Sequence, residues 1–243
     1  MFSYSFWAAA GISFIFLMTL AGSATVFLFP RRRSGGMESG MMGFSAGVMT
    51  AAAIWSLLIP AIEQSGESSA LPPWLPAATG LMAGAMFIAA LDIWQRGAEG
   101  AAKPMLFAAV TLHNIPEGMA VGLAFALALG GEGLASALAL AFGIGVQNFP
   151  EGAAVSLPMS GLSRSQAFFR GLASGAVEPV AAVAAMLVSG FLYPCMPWLL
   201  SFSAGAMLYV SAGELLRQAQ GLKGTAGYML GFCVMMVLDL ALG

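Results

Sequence analysis

Charged side chains are scarce in this sequence. Asp, Glu, Lys and Arg make up 8% of its 243 residues, against about a quarter in soluble domains, which excludes a water-facing surface over most of the chain. Cysteine is nearly missing too: Cys195 and Cys233 fall at different depths of the hydrophobic pattern and neither has a CxxC partner, which argues against a disulfide. No basic cluster interleaved with aromatics is present, so nucleic acid is excluded as a partner. Histidine occurs once, as His113.

What is there is apolar. Hydrophobic residues make up 59% of the chain and glycine contributes 31 positions, the composition of an integral membrane protein. Eight stretches of about bilayer-spanning length follow one another: Phe6 to Leu28, Met41 to Ile62, Ala77 to Trp94, Met105 to Leu129, Leu134 to Leu157, Ala167 to Leu192, Trp198 to Leu216 and Ala226 to Leu242. The connections are short, so residues 1–243 read as a single all-α transmembrane domain. Met1 to Trp7 contains no Lys or Arg, so the first stretch lacks the charged start of a cleaved signal peptide and is expected to be a retained helix.

The nine positive charges fix an orientation. Arg31, Arg32 and Arg33 follow the first stretch; Arg96 and Lys103 separate the third from the fourth; Arg164 and Arg170 the fifth from the sixth; Arg217 and Lys223 the seventh from the eighth. All fall on one side of an eight-helix plan. By the positive-inside rule that side is cytoplasmic, so both termini of a multi-pass protein of the bacterial cytoplasmic (inner) membrane face outward.

An internal repeat supplies the architecture. Phe44-Ser45-Ala46-Gly47 with Met49 returns as Phe202-Ser203-Ala204-Gly205 with Met207, and Gly80, Met82, Gly84, Leu91 and Asp92 return as Gly227, Met229, Gly231, Leu238 and Asp239. Leu20-Ala21 and Ala24 match Leu172-Ala173 and Ala176 more weakly. Five helices separate the members of each pair, and an odd offset inverts a helix in the membrane. The expectation is a 3+2+3 plan with inverted repeats, helices 1–3 and 6–8, around a central pair, with the binding site near the midplane.

That central pair carries two polar hexapeptides of one design. His113-Asn114-Ile115-Pro116-Glu117-Gly118 is echoed by Gln147-Asn148-Phe149-Pro150-Glu151-Gly152. Each sets an imidazole or amide four residues before a carboxylate, on one face of a helix. Glu117, Glu151 and Glu178 lie deep within apolar stretches, where an uncompensated carboxylate costs several kcal/mol. No Lys or Arg lies at that depth. A cation is needed, and a proton on each would be the plainest one; His113 and the amides add donors of the kind divalent metals use. Pro116, Pro150 and Pro179 free the carbonyls of Leu112, Val146 and Gly175 beside this site.

These residues carry a resemblance. The eight helices, the HNIPEG segment, its QNFPEG counterpart and Val177-Glu178-Pro179 are similar to the ZIP (Zrt/Irt-like) divalent metal transporters, most of all the bacterial GufA-like branch. The resemblance spans essentially the whole chain. It implies a transporter and not an enzyme, importing Zn²⁺, or Cd²⁺, Fe²⁺ or Mn²⁺, as transported ligand through a binuclear midmembrane site, with no cofactor. By motif position one metal takes His113, Glu117, Gln147 and Glu151. The second takes Asn114, Glu117, Asn148, Glu151 and Glu178, with the first two glutamates bridging. Gln147 departs from the commoner histidine form, and a neutral amide is a poorer zinc ligand than imidazole. The loop from Gln95 to Pro104 has no histidine, so a histidine-rich sensing loop is not expected.

The remaining acids order along a path. Glu63 and Asp239 fall near the outer ends of helices 2 and 8, Asp92 and Glu214 toward the inner ends of helices 3 and 7. Glu63 fits a solvated helix end as well as a path. Met49 and Ser56, seven residues apart on one helix face, fit either packing or the outer approach. The family implies alternating access, helices 1, 4, 5 and 6 moving against 2, 3, 7 and 8. Small residues in the repeat helices are consistent with a homodimer in the lipid bilayer. Two other classes bury the same groups: a proton-coupled carrier of an organic solute, and a membrane-embedded zinc hydrolase, whose site would call for more histidine than one.

Overall fold

The computed structural model describes residues 4–29, 35–68, 72–95, 102–128, 133–159 and 162–242. Arg31, Arg32, Arg33 and Arg96 lie outside the described residues, as does the side chain of Lys103. Of the orientation-setting charges, Arg164, Arg170, Arg217 and Lys223 are described.

Every element among the described residues is helical. Helix α1 spans Tyr4–Ala24 and tightens into a 3₁₀ turn, Thr25–Leu28. Helix α2 runs through Gly35–Ala52, a π-helical Ala53–Leu58 and Ile59–Ser68. Then come α3 (Trp74–Gln95), α4 (Ala102–Ala128) and α5 (Leu134–Ser156). Helix α6 is divided into Arg164–Gly175 and Val177–Leu187. Helix α7 joins Met196–Val210, a π-helical Ser211–Leu215 and Leu216–Gln218, and α8 is Gly221–Leu242. Each expected stretch is thus a helix, a few residues longer or shifted at its ends. Six are long and apolar enough to cross a membrane; the other two, α4 and α5, carry the polar hexapeptides. Met82, Met86 and Phe87 of α3 and Met229, Leu230 and Val237 of α8 are exposed, as a lipid-facing surface requires.

The sixth stretch differs from the single helix expected for it. Pro179 has no N–H to offer the carbonyl of Gly175, and the helix breaks at Ala176. Pro179 then sits in the first turn of the second half, where no intrahelical donor is needed. The interruption falls two residues before Glu178, which is buried in the first turn of the second half. Pro116 and Pro150 are instead accommodated inside unbroken helices.

The most extensive helix pairs are α2 with α8, α1 with α5, α3 with α7 and α4 with α6. Glycine permits each one. A Cβ on Gly47 would overlap the Tyr228 carbonyl and one on Gly231 the Phe44 carbonyl, closing α2 on α8. In α3 against α7, Gly205 meets the Leu81 carbonyl and Gly84 the Phe202 carbonyl. Gly47 with Gly205, Gly84 with Gly231 and Phe44 with Phe202 are the matched positions of the sequence repeat, so the repeat is a packing rule written twice. The π-helical segments of α2 and α7 also occupy matched positions.

The other two pairs follow the same logic with a different register from the one the sequence suggests. Gly118 of α4 lies against the Glu178 carbonyl, and Gly152 of α5 against the Thr19 carbonyl. Thr19 is therefore the counterpart of Glu178. The match of Leu20-Ala21 with Leu172-Ala173 is about two helical turns out of place, because the spacing is set by backbone approach to the hexapeptide glycines and not by likeness among small residues.

Two larger hydrophobic clusters result, beside a small one of Met41, Ala153 and Leu157. One is built from α1, α4, α5 and α6 alone, with Ile12, Ile15, Val121, Phe125 and Ile144 at its centre. The larger one centres on α2 and α7, with Met49, Leu57, Met207 and Leu215 fully buried, and takes contributions from neighbouring helices.

Candidate metal centre

His113 and Glu117 on α4 and Glu151 on α5 converge at the crossing of those helices. The His113 Nε2 is 3.2 Å from Glu117 Oε1 and 3.0 Å from Glu151 Oε2. One ligand atom from each residue lies within 4.8 Å of the other two, and all three residues are buried. Two donors each about 2.1 Å from a tetrahedral ion stand about 3.4 Å apart, so the pairs with imidazole already have the spacing of a coordination shell.

The chemistry of the cluster is one-sided. Glu117 Oε2 and Glu151 Oε1 are buried without a hydrogen-bond donor among the described residues, and Glu117 Oε1 has only the 3.2 Å contact to His113. Unmet acceptors of this kind are costly. A divalent cation meets them together.

The amides are arranged around the cluster with a common feature: each nitrogen is tied to a helix other than its own, two of them to α6 and one to α8. Asn114 Nδ2 donates to the Ser174 carbonyl at 3.0 Å and to its hydroxyl at 3.2 Å. Gln147 Nε2 donates to Asp239 Oδ1, which also accepts from Ser56 Oγ at 2.6 Å. Asn148 Nδ2 donates to Glu178 Oε2 at 3.0 Å, and Thr19 Oγ1 donates to Glu178 Oε1 at 2.6 Å. Glu178 is thus held on both oxygens, unlike Glu117. Of the expected ligands, His113, Glu117 and Glu151 form the core; Gln147, Asn148, Asn114 and Glu178 form a hydrogen-bonded wall about it.

A cavity of about 400 Å³ reaches this wall, with Glu63, Ser56 and Asp239 along it and Glu117 and Gln147 at its inner end. Asp239, in the last turn of α8 as expected, stands against the site through its bond to Gln147. Of the two readings of Met49, packing holds: it is 1% exposed within the larger core cluster. Asp92 and Glu214 are half-buried on α3 and α7 and do not line this cavity.

Sequence reasoning missed Thr19, Ser174 and Ser203. Ser203 Oγ of α7 donates at 3.0 Å to the Leu112 carbonyl, the one freed by Pro116. Its counterpart in the repeat, Ser45, is buried with its hydroxyl unpartnered. The available signal was a hydroxyl inside an otherwise apolar run, which is weak because such a hydroxyl can bond its own helix.

The geometry agrees with comparison to known proteins. The family model described as ZIP Zinc transporter matches residues 94–239, the span holding both hexapeptides, Glu178 and Asp239. The chain is 37% identical to the zinc transporter GufA of Myxococcus xanthus, over 78% of this chain and 81% of that protein. Similarity to the zinc transporter ZIP11 of Homo sapiens is 32% over 98% of both chains, and to the zinc transporter ZIPB of Bordetella bronchiseptica 34% over 85% and 72%. Matches of this identity and length, with a buried imidazole and two carboxylates where the family model aligns, leave one assignment: this chain belongs to the ZIP zinc transporter family.

Proposed function

We propose that the protein imports Zn²⁺, or a related divalent ion such as Cd²⁺, Fe²⁺ or Mn²⁺, into the cytoplasm by alternating access, as a single transmembrane domain over residues 1–243. The carrying observation is the buried cluster of His113, Glu117 and Glu151, in which Glu117 Oε2 and Glu151 Oε1 have no donor among the described residues. Zinc is the transported ligand and not a cofactor. His113, Glu117, Gln147 and Glu151 hold one ion; Asn114, Asn148 and Glu178 complete a second position that shares Glu117 and Glu151. An ion approaches past Glu63, Ser56 and Asp239, and leaves toward Glu214 and Asp92.

The helix pairs support a division into two bodies, since α1 with α5 and α4 with α6 pack within one group and α2 with α8 and α3 with α7 within the other. The recurring glycine contacts support inverted repeats of helices 1–3 and 6–8 about α4 and α5. Residence in the bacterial inner membrane with both termini outside follows from the one-sided positive charge, and a homodimer suits the small residues of the repeat helices.

Uptake into proteoliposomes loaded with a zinc-sensitive dye tests the function. Zn²⁺ entry with wild-type protein and none above empty liposomes with a Glu117→Ala, Glu151→Ala variant is expected. Wild-type uptake by that variant, or uptake of a proton-coupled organic solute without metal, would sink the reading.

A further inference from the structure

We propose that Thr19 is a positioning residue of the metal centre: its hydroxyl anchors Glu178, and Glu178 holds Asn148 so that the amide's carbonyl oxygen is left free. The inference rests on the metal-transport reading above and adds a residue outside both hexapeptides.

Thr19, Asn148 and Glu178 are all nearly inaccessible, at 3%, 1% and 0% exposure. Thr19 Oγ1 is 2.6 Å from Glu178 Oε1 and 3.3 Å from the carbonyl of Ile15 in its own helix. The shorter bond is the one that crosses between helices. Asn148 Nδ2 then donates to Glu178 Oε2 at 3.0 Å, with a longer contact of 3.4 Å to the Ile15 carbonyl. A carboxylate accepts and does not donate, so the amide must present its nitrogen to Glu178. Its oxygen is thereby turned the other way. That oxygen is buried and has no donor, the state of a ligand atom awaiting a cation.

An amide nitrogen does not ligate a divalent ion, so an Asn148 free to rotate would offer the wrong atom part of the time. Outer partners that orient a ligand affect metal affinity by about tenfold to a hundredfold when removed. Thr19 also supports the fold, through its carbonyl packed on Gly152 and its methyl packed on Gly175. A valine of the same shape keeps those contacts and removes the hydroxyl alone.

Calorimetric titration of Cd²⁺ and Zn²⁺ into the purified full chain tests this. Thr19→Val is expected to weaken the weaker of two binding events about tenfold while leaving the tighter one unchanged, which also reports an intact fold. Thr19→Ser is expected to restore wild-type affinity. In an Asn148→Ala background, Thr19→Val is expected to change nothing further, since the two act as a unit. The proposal is overturned by wild-type affinities in Thr19→Val, by an equal loss in Thr19→Ser, or by an undiminished Thr19→Val effect in the Asn148→Ala background. A wild-type protein that binds no divalent ion overturns the transport reading and this proposal with it; one that binds while Thr19→Val matches it overturns this proposal alone.

Discussion

Glu117 is the residue on which most depends, because its Oε1 faces His113 at 3.2 Å, its Oε2 has no donor among the described residues, and it lines the cavity. Glu117→Ala or Glu151→Ala is expected to lower uptake by more than about a hundredfold with the helical circular dichroism unchanged; transport above a tenth of wild type by either would rule out shared ligation. Gln147 tests the family departure. Its nitrogen is bonded to Asp239, so Gln147→His finds a carboxylate ready to take the second ring N–H, as metal-bound imidazoles require. Zinc affinity is expected to rise about tenfold and to fall more steeply with acidification, because imidazole must lose its proton to bind. The gain should vanish with Asp239→Asn also present, and equal affinities in wild type, Gln147→His and Gln147→Ala would make position 147 a bystander. The cluster itself was legible in the sequence, since residues four apart on a helix must share a face. Its wall was not: nothing in a linear pattern tells which helix will offer Ser174, Glu178 or Asp239 to a given amide, or Thr19 to Glu178.

At the scale of helices, glycine and proline set the geometry. Gly84 and Gly231 leave no room for a Cβ because the backbone carbonyls of Phe202 and Phe44 occupy it. Gly84→Ala and Gly231→Ala are each expected to cost about 1–3 kcal/mol, read as lowered thermal midpoints in detergent. Gly213→Ala, with nothing within 4 Å of a new Cβ, should leave the midpoint in place. Unequal effects of the two matched glycines would show that the paired contacts do not carry equal weight. The likeness between helices 2 and 7 and between 3 and 8 could be read in advance because matched glycines approach backbone carbonyls at matched positions. For helices 1 and 6 the glycine contacts put Thr19 and Glu178 at comparable places, and because these two share no chemistry no comparison of side chains would pair them. The break at Ala176 was half legible: Pro179 announced a freed carbonyl, but whether a proline bends or divides a helix depends on what packs around it.

For the whole molecule, the side on which each connection lies fixes the direction of transport. A cysteine at Pro73, exposed between α2 and α3, is expected to react with an impermeant thiol reagent from outside intact cells, and one at Gln220, exposed between α7 and α8, is not; Cys195 and Cys233 are replaced beforehand. The reverse pattern would turn the protein into an exporter. The two hydroxyls at matched places, Ser203 bonded to the Leu112 carbonyl and Ser45 bonded to nothing, bear on how readily the molecule changes its facing. Were the proposed inverted halves to exchange roles between two facings, Ser45 would be expected to take up the Val146 carbonyl as Ser203 gives up that of Leu112. Lost and gained energies would then nearly cancel, keeping the two populations comparable without any ion bound. One hydrogen bond is worth about 1 kcal/mol, enough to reweight such an equilibrium about fivefold. Ser203→Ala should therefore move the balance about fivefold one way and Ser45→Ala about as far the other, seen as opposite changes in the labelling rate of a cysteine at Glu63. Changes of the same sign would mean that the exchange is not symmetric, and that the resting protein is committed to one side of the membrane.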